Sequence, residues 1–406
     1  MQEPTGPALF VAGTYTFFPT PFVISGVGRW DGHEWSHLII GLPPYPARRS
    51  VSIRALDLGR GPELFALGTW QPSFPNGPEI PWYRRWNGSQ WVDCASAMWS
   101  PAGEPTLSFI FDGRLRVFGL IKCPDGSPGC VGEWSGAHWA LIGEAPYGVN
   151  RLINYDDGTG PALYAAGQFS EISGVEASCI ARWDSVAWSS VGGGISYGPC
   201  FDAQVFDDGT GPKLYLAGMY ETIGAVPSGG IPAGRIGAWD GHAWSNLDGG
   251  ITSTGIREIY ALEVFDDGRG PALYATGFFT EIGHVPARGI ARWDGARWEA
   301  LGRGLNWPAE DLAAFTDAAG PSLFAGGSFS SAGAGTAYGL AQWVGCPNCY
   351  ANCDFSEGPT RLNVNDFVCF INKYAALDPY ANCNVDAAID IADFSCFMTK
   401  FAQGCP

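Results

Sequence analysis

The chain has 406 residues, only 16% of them charged, with 57 glycines and a formal net charge of −17. That length serves one large domain and one small one, and the glycine content suits many short strands joined by tight turns. With four lysines in all (Lys122, Lys213, Lys373 and Lys400), no basic stripe and no apolar run of membrane-spanning length, the composition excludes a nucleic-acid partner and a helical membrane anchor.

At the N-terminus Met1 is followed by Gln-Glu-Pro-Thr-Gly-Pro, which lacks the charged and apolar run of an export signal. From there two tryptophans stand five residues apart six times: Trp30/Trp35, Trp86/Trp91, Trp134/Trp139, Trp183/Trp188, Trp239/Trp244 and Trp293/Trp298. A lone Trp343 falls at the same phase, and the steps between units are 56, 48, 49, 56, 54 and 50 residues. A glycine- and aromatic-rich period near fifty predicts a β-propeller of four-stranded blades, seven of them, over 1–345.

The fifth and sixth units show the strands most clearly. Strand one is read at 203–206 and 261–265, ending in the turns Asp207-Asp208-Gly209 and Asp266-Asp267-Gly268. Strand two follows at 213–218 and 272–277, and after a variable loop strand three runs over 235–239 and 289–293. A second Asp-Gly turn, at Asp240 and Asp294, leads to strand four. Asp-Gly between alternating apolar residues is a strong hairpin signal. The first unit lacks strand one and the seventh lacks strand four, so a half-blade and a signal peptide are expected upstream of Met1, the alternative being a ring with two three-stranded blades.

The small-residue runs closing strand two (Ala166-Gly167, Gly326-Gly327), the aromatic closing strand three and the tryptophan opening strand four resemble kelch-type repeats of galactose-oxidase-like propellers. The resemblance covers most of 1–345 and implies a fold, not a ligand. Units one to three depart from it: Trp86 is followed by Asn-Gly, and Cys123 to Cys130 replaces a longer loop, with a disulfide expected between those two cysteines.

Alternating strand direction puts the short Asp-Gly turns on one rim. The long segments at 16–21, 71–81, 221–234, 281–288 and 306–310 fall on the other, where binding residues on a rigid scaffold are expected. Its candidate contacts are Phe17, Phe18, Phe22, Trp70, Phe74, Trp82, Tyr83, Trp99 and Trp307, set against the alternative that these rings pack the loops down. The repeated tryptophans answer a need of every unit and are assigned to packing between units. His33 and His242 share one turn position and His138 lies one later, so they fill turns; His37 and His284 form no cluster with them. The paired aspartates Asp156/Asp157, Asp207/Asp208 and Asp266/Asp267 are read as turn formers. No catalytic residue is assigned: the chain has no sialidase-type Asp box, Gly-x-Ser-x-Gly elbow or histidine cluster. A carboxylate pair assembled from separate loops stays open.

The tail, 346–406, holds seven of the twelve cysteines and a second duplication. In its second copy Asn382, Asn384, Asp386, Asp390 and Asp393 fall at loop positions 1, 3, 5, 9 and 12, with the Ala388 carbonyl at position 7. That spacing gathers oxygens around a calcium ion. With three inserted residues the first copy offers Asn352, Asp354, Ser356 or Glu357, Asn363 and Asp366. An amphipathic helix follows each loop, with Phe367, Phe370, Ile371 and Tyr374 on one and Phe394, Phe397, Met398 and Phe401 on the other. Two loop-helix units ending in Asp resemble a cysteine-containing type I dockerin module of secreted bacterial proteins. Asn at position 1 of both loops and Ala387 in place of the glycine at position 6 depart from it. Cys353/Cys369 and Cys383/Cys396 occupy matching places, so one bridge per copy is expected, with Cys405 reaching Cys346 or Cys349. Cys346-x-x-Cys349 as half a zinc site finds no histidine in the tail. The alternatives are one or two calcium ions or a tail held by disulfides alone. Cys94, Cys179 and Cys200 receive no assigned partners.

The expectation is an all-β, seven-bladed kelch-like propeller (1–345) with a small α-helical dockerin or EF-hand-like domain (346–406). It is expected to be extracellular or at the cell surface, binding a glycan or protein through the long-loop rim. The tail is expected to attach it to a cohesin-like partner or a cell-surface component. Open beside this are an exported carbohydrate-active enzyme on the same scaffold and a structural or adhesion protein.

Overall fold

The computed structural model describes residues 2–3, 6–16, 23–31, 34–38, 48–49, 52–57, 62–71, 80–87, 90–93, 103–111, 114–124, 128–135, 137–196, 198–224, 229–317, 320–333, 335–344, 364–375, 391, 394–395 and 397–398. They are dominated by antiparallel strands, with one complete helix, so the chain is all-β. Among the described residues the strands form seven successive sheets of three or more strands in meander order, beside five two-stranded ones. Sheet four is representative: Val149–Asp156, Pro161–Gly167, Ile180–Trp183 and Trp188–Ser190 are its strands one to four. Sheets three, five and six repeat it, and sheet two adds the short strand Arg48–Arg49. Sheet one (Leu9–Thr16, Val23–Trp30, Trp35–Leu38) and sheet seven (Ala309–Asp317, Gly320–Gly327, Leu340–Val344) have three strands each among the described residues. Among the described residues sheet one begins at strand two and sheet seven runs to strand three of the repeat.

Strand two is an almost unbroken apolar run because both its faces are covered. Ala162 through Gly167 and Leu214 through Gly218 are buried. The apolar clusters lie between sheets. One joins Tyr155, Tyr164 and Val191 of sheet four to Leu214, Leu216, Trp239 and Trp244 of sheet five. The next joins Phe206 and Tyr215 to Leu273, Trp293 and Trp298 of sheet six, and a third carries on to Leu312, Leu323 and Phe329 of sheet seven. Sheets one and seven share a cluster as well: Leu9, Trp30 and Trp35 pack with Phe315, Phe324 and Leu340. Trp35 meets Phe324 edge to face at 6.5 Å.

The repeated tryptophans are the means of this stacking. The two rings of every pair face each other across the three-four hairpin, with centroids 5.3–5.6 Å apart. In the fourth, fifth and sixth pairs the indole N–H of the second donates to a carbonyl of the preceding unit: Trp188 to Ile142 at 2.5 Å, Trp244 to Val191 at 3.4 Å and Trp298 to Leu247 at 2.9 Å. Gly192 stands where a Cβ would lie 2.3 Å from the Trp239 ring, and its φ of +52° is in the left-handed region. The hairpin itself is held by its first residue, whose side chain accepts a backbone N–H three residues on. Asp31, Asp184, Asp240 and Asp294 do this, and Asn87 and Ser135 do the same at 2.9 and 3.1 Å. The irregular second and third units therefore keep the turn while changing its residue.

Strands one of neighbouring sheets are joined by side chains. The Asn150 amide donates to the Cys200 carbonyl at 2.7 Å, and Arg151 pairs with Asp202 at 2.7 Å. Asp202 in turn accepts the Leu262 N–H of sheet six at 2.8 Å. Cys123 and Cys130 are disulfide-bonded, as expected. Cys179 and Cys200 are buried free thiols.

In the tail the helix Val364–Ala375 presents Phe367, Phe370 and Tyr374 to Phe394 and Phe397 of the second copy. Phe370 and Phe397, equivalent positions of the duplication, stack at 3.9 Å with an interplanar angle of 5°, and both are fully buried. Cys369 is disulfide-bonded, to a cysteine outside the described residues.

Candidate functional site

Strand one does not begin where the alternation suggested. It starts at Cys200 in sheet five and Glu258 in sheet six, three residues earlier than read from the pattern. Near each start the register slips by one residue, between Val149 and Arg151, Cys200 and Asp202, Ile259 and Ala261, and Ala309 and Asp311. The skipped residues are Asn150, Phe201, Tyr260 and Glu310. A bulge leaves its extra residue unpaired and re-aims the side chain. Sheets four to seven thus offer one free position each at the same place, and the sequence fills it differently each time.

Three of those four residues, Phe201, Tyr260 and Glu310, line a cleft of about 570 Å³ together with Phe278, Trp307 and Pro308. The rings form a chain across sheets five to seven. Centroids lie 5.7 Å apart for Phe201 and Tyr260, 5.9 Å for Tyr260 and Phe278, and 5.0 Å for Phe278 and Trp307. Phe278 follows Gly277, which ends the buried run of strand two. A Cβ on Gly277 would lie 2.0 Å from the Glu258 carbonyl oxygen, so glycine there lets the incoming crossover lie against strand two. Trp307 belongs to the crossover into sheet seven and is 54% exposed.

Polar groups sit at the edge of this aromatic surface. The Tyr260 hydroxyl donates to the Glu258 carboxylate, and Ser328 donates to Glu310 at 2.9 Å. Burial, followed by the Glu258 carboxylate, holds the Tyr260 phenol well above its ordinary value, so it remains a neutral donor. Glu310 lines the cleft and is exposed. The group can stack on apolar ring faces and accept hydrogen bonds from hydroxyls or amines.

The expected rim residues fall out unevenly. Trp307 lines the cleft. Trp70, Trp82 and Tyr83 lie within strands Pro62–Gln71 and Ile80–Trp86, not in loops, and their side chains lie outside the described residues. Phe17, Phe18, Phe22, Phe74 and Trp99 lie outside the described residues altogether. The two-three loops are tied down. Glu281–Ile282 and Val285–Pro286 form a small hairpin, Ile282 bridges to Ile251, and Gly283 donates to the Gly250 carbonyl at 2.8 Å. Of the calcium-loop residues only Asp366 is described, in the first turn of Val364–Ala375. Asn352, Asp354, Ser356, Asn363, Asn382, Asn384, Asp386, Ala388, Asp390 and Asp393 lie outside the described residues. So do Cys346, Cys353, Cys383, Cys396 and Cys405. Among the described residues no group of three or more His, Cys, Asp or Glu is placed to hold a metal ion.

At the opposite end of the sheets the paired aspartates are fully engaged. Asp156 accepts the N–H groups of Gly158 and Gly160 at 2.9 and 3.0 Å. Asp157 accepts from Thr159 and from the Tyr164 hydroxyl at 2.9 Å, and forms an ion pair with Arg182 at 2.9 Å. Burial alone would raise its pKa; the bonds from Thr159 and Tyr164, with Arg182 beside them, outweigh burial and hold it below the ordinary carboxylate value. Asp208 repeats the arrangement with Thr210, Lys213 and Tyr215. These carboxylates stitch the one-two turn to its own sheet.

Sequence reasoning missed Phe201, Tyr260, Phe278 and Glu310. The available signal was their irregularity: at a fixed phase of an otherwise regular repeat stand Asn150, Phe201, Tyr260 and Glu310, with no residue common to all. No protein-family model matches the chain, and no curated protein matches it.

Proposed function

We propose that the chain is a secreted, non-catalytic seven-bladed β-propeller of kelch-like type that binds a glycan at the aromatic cleft on its long-loop rim. Support for the wheel comes from the order of the sheets, each packed on the next, and from the cluster shared by the first and last. The observation that carries the binding reading is the cleft: successive bulges deliver Phe201, Tyr260 and Glu310 to one concavity beside Phe278 and Trp307. Apolar rings flanked by a few oriented polar groups suit a sugar, whose ring faces are apolar and whose edge carries hydroxyls.

The tail, in this reading, is a dockerin-like adaptor. The paired packing of Phe367 and Phe370 against Phe394 and Phe397 supports two equivalent helical units, as an adaptor for a cohesin-like or cell-surface partner requires. One or two calcium ions would be held by the loops preceding those units.

The test is retention of the purified chain on a panel of insoluble polysaccharides. Wild type is retained on at least one, and Trp307→Ala releases it while leaving the thermal midpoint in place. Equal retention of both would refute the cleft as the site. A second reading, a carbohydrate-active enzyme, has one observation in its favour: Glu258 and Glu310 both lie beside Tyr260. Release of reducing ends by wild type and not by Glu310→Gln would establish it.

A further inference from the structure

We infer that the cleft selects glycans carrying free amino groups, an inference that rests on the glycan reading above. The rings are set as walls. Phe278 meets Trp307 at 84° and Tyr260 meets Phe278 at 77°, while Tyr260 and Phe201 are tilted by 46°. Rings in such edge-to-face contact pack on one another, and the exposed part of Trp307 offers an electron-rich surface that attracts an organic ammonium. The counter-charge is in place as well. Glu310 lines the cleft, Glu258 stands beside Tyr260, and none of the lining residues is basic. An ammonium entering there replaces part of its hydration with ring faces and a carboxylate, while a uronate or sulfate would face Glu310 with no cation to meet it. The net charge of −17 adds long-range attraction for a cationic polymer and repulsion for an anionic one.

The probes are a β-linked glucosamine hexamer with free amines and its fully N-acetylated counterpart, titrated calorimetrically into the full-length protein at about pH 6. The free-amine hexamer should bind roughly tenfold tighter or better, the gap should narrow as salt rises, and tetramethylammonium should displace it. Glu310→Gln should remove most of that preference by weakening the free-amine hexamer more than the acetylated one; Trp307→Ala should weaken both. Tyr260→Phe, which keeps the ring and drops the hydroxyl, should keep the preference. Equal or tighter binding of the acetylated hexamer, lost in Trp307→Ala, would overturn the amine preference and leave the glycan reading standing. Binding of tetramethylammonium with neither hexamer bound, or hexamer binding indifferent to Trp307→Ala, would overturn both.

Discussion

Glu263→Gln should remove a pH dependence of stability that the wild-type fold builds in. Glu263 lies in strand one of sheet six, directed at sheet seven. Burial pushes its carboxyl up to about 7 from an ordinary 4.5. The Ala314 N–H offsets part of that, Asp311 and then Asp202 add to it, and Arg151 opposes it. The folded-state value is raised, so the contribution to stability is fully present below about pH 4.5, where both states hold the proton. As pH rises, the unfolded chain ionises first, and the contribution is lost progressively until the folded carboxyl ionises near 7. The gap between 4.5 and about 7 corresponds to about 3 kcal/mol. Glutamine keeps the shape and cannot ionise. Urea unfolding from about pH 4 to about pH 8 should show wild type losing about 3 kcal/mol relative to Glu263→Gln, with the change concentrated between 4.5 and 7. Burial raises Asp202 too; Asp202 is present in both proteins, so its own burial cancels in the difference and only its coupling to Glu263 remains. A difference that stays constant with pH would refute the reasoning.

Trp298→Phe removes both ring volume and the 2.9 Å bond to Leu247 and should cost about 2–3 kcal/mol in chemical denaturation, whereas Trp→Phe at an exposed position should cost little. Gly192→Ala should cost about 2 kcal/mol or more by the same measurement, because its Cβ meets the Trp239 ring and the backbone is left-handed; an unchanged midpoint would contradict the packing. Burial pushes the Cys179 thiol up to about 11 and the Cys200 thiol higher still, so iodoacetamide near pH 8 should leave both unmodified in the native protein and label both in denaturant, read by peptide mass spectrometry. Calcium titrated into chelator-treated full-length protein should release heat and raise a thermal transition; no heat and no shift would remove the metal from this account.

Much of the fold was legible because its signals are local. The Asp-Gly turns mark hairpins within four residues, the tryptophan spacing repeats across the chain, and Cys123 and Cys130 are close enough in sequence to be paired by inspection. Even the departures at Asn87 and Ser135 proved to be the same turn built from another acceptor. Strand one was harder. An inserted residue breaks the two-residue alternation on which strand reading rests, so the pattern was recognisable only after the bulge, from Ala203 and Ala261 onward. Phe201 and Tyr260 fell just outside it, and the aromatic candidates came instead from the visibly long loops.

The sequence by itself determined the unit: its length, its strand order, its turns and the tryptophans that every copy needs to stack on the last. Tertiary structure alone decided the cleft. Its residues lie at 201, 260, 278, 307, 308 and 310, up to about a hundred positions apart, and meet only because three sheets set their bulges side by side. Periodicity records what each copy requires in common. A binding site is assembled from the positions where the copies are free to differ, and their adjacency is a property of the stacked sheets.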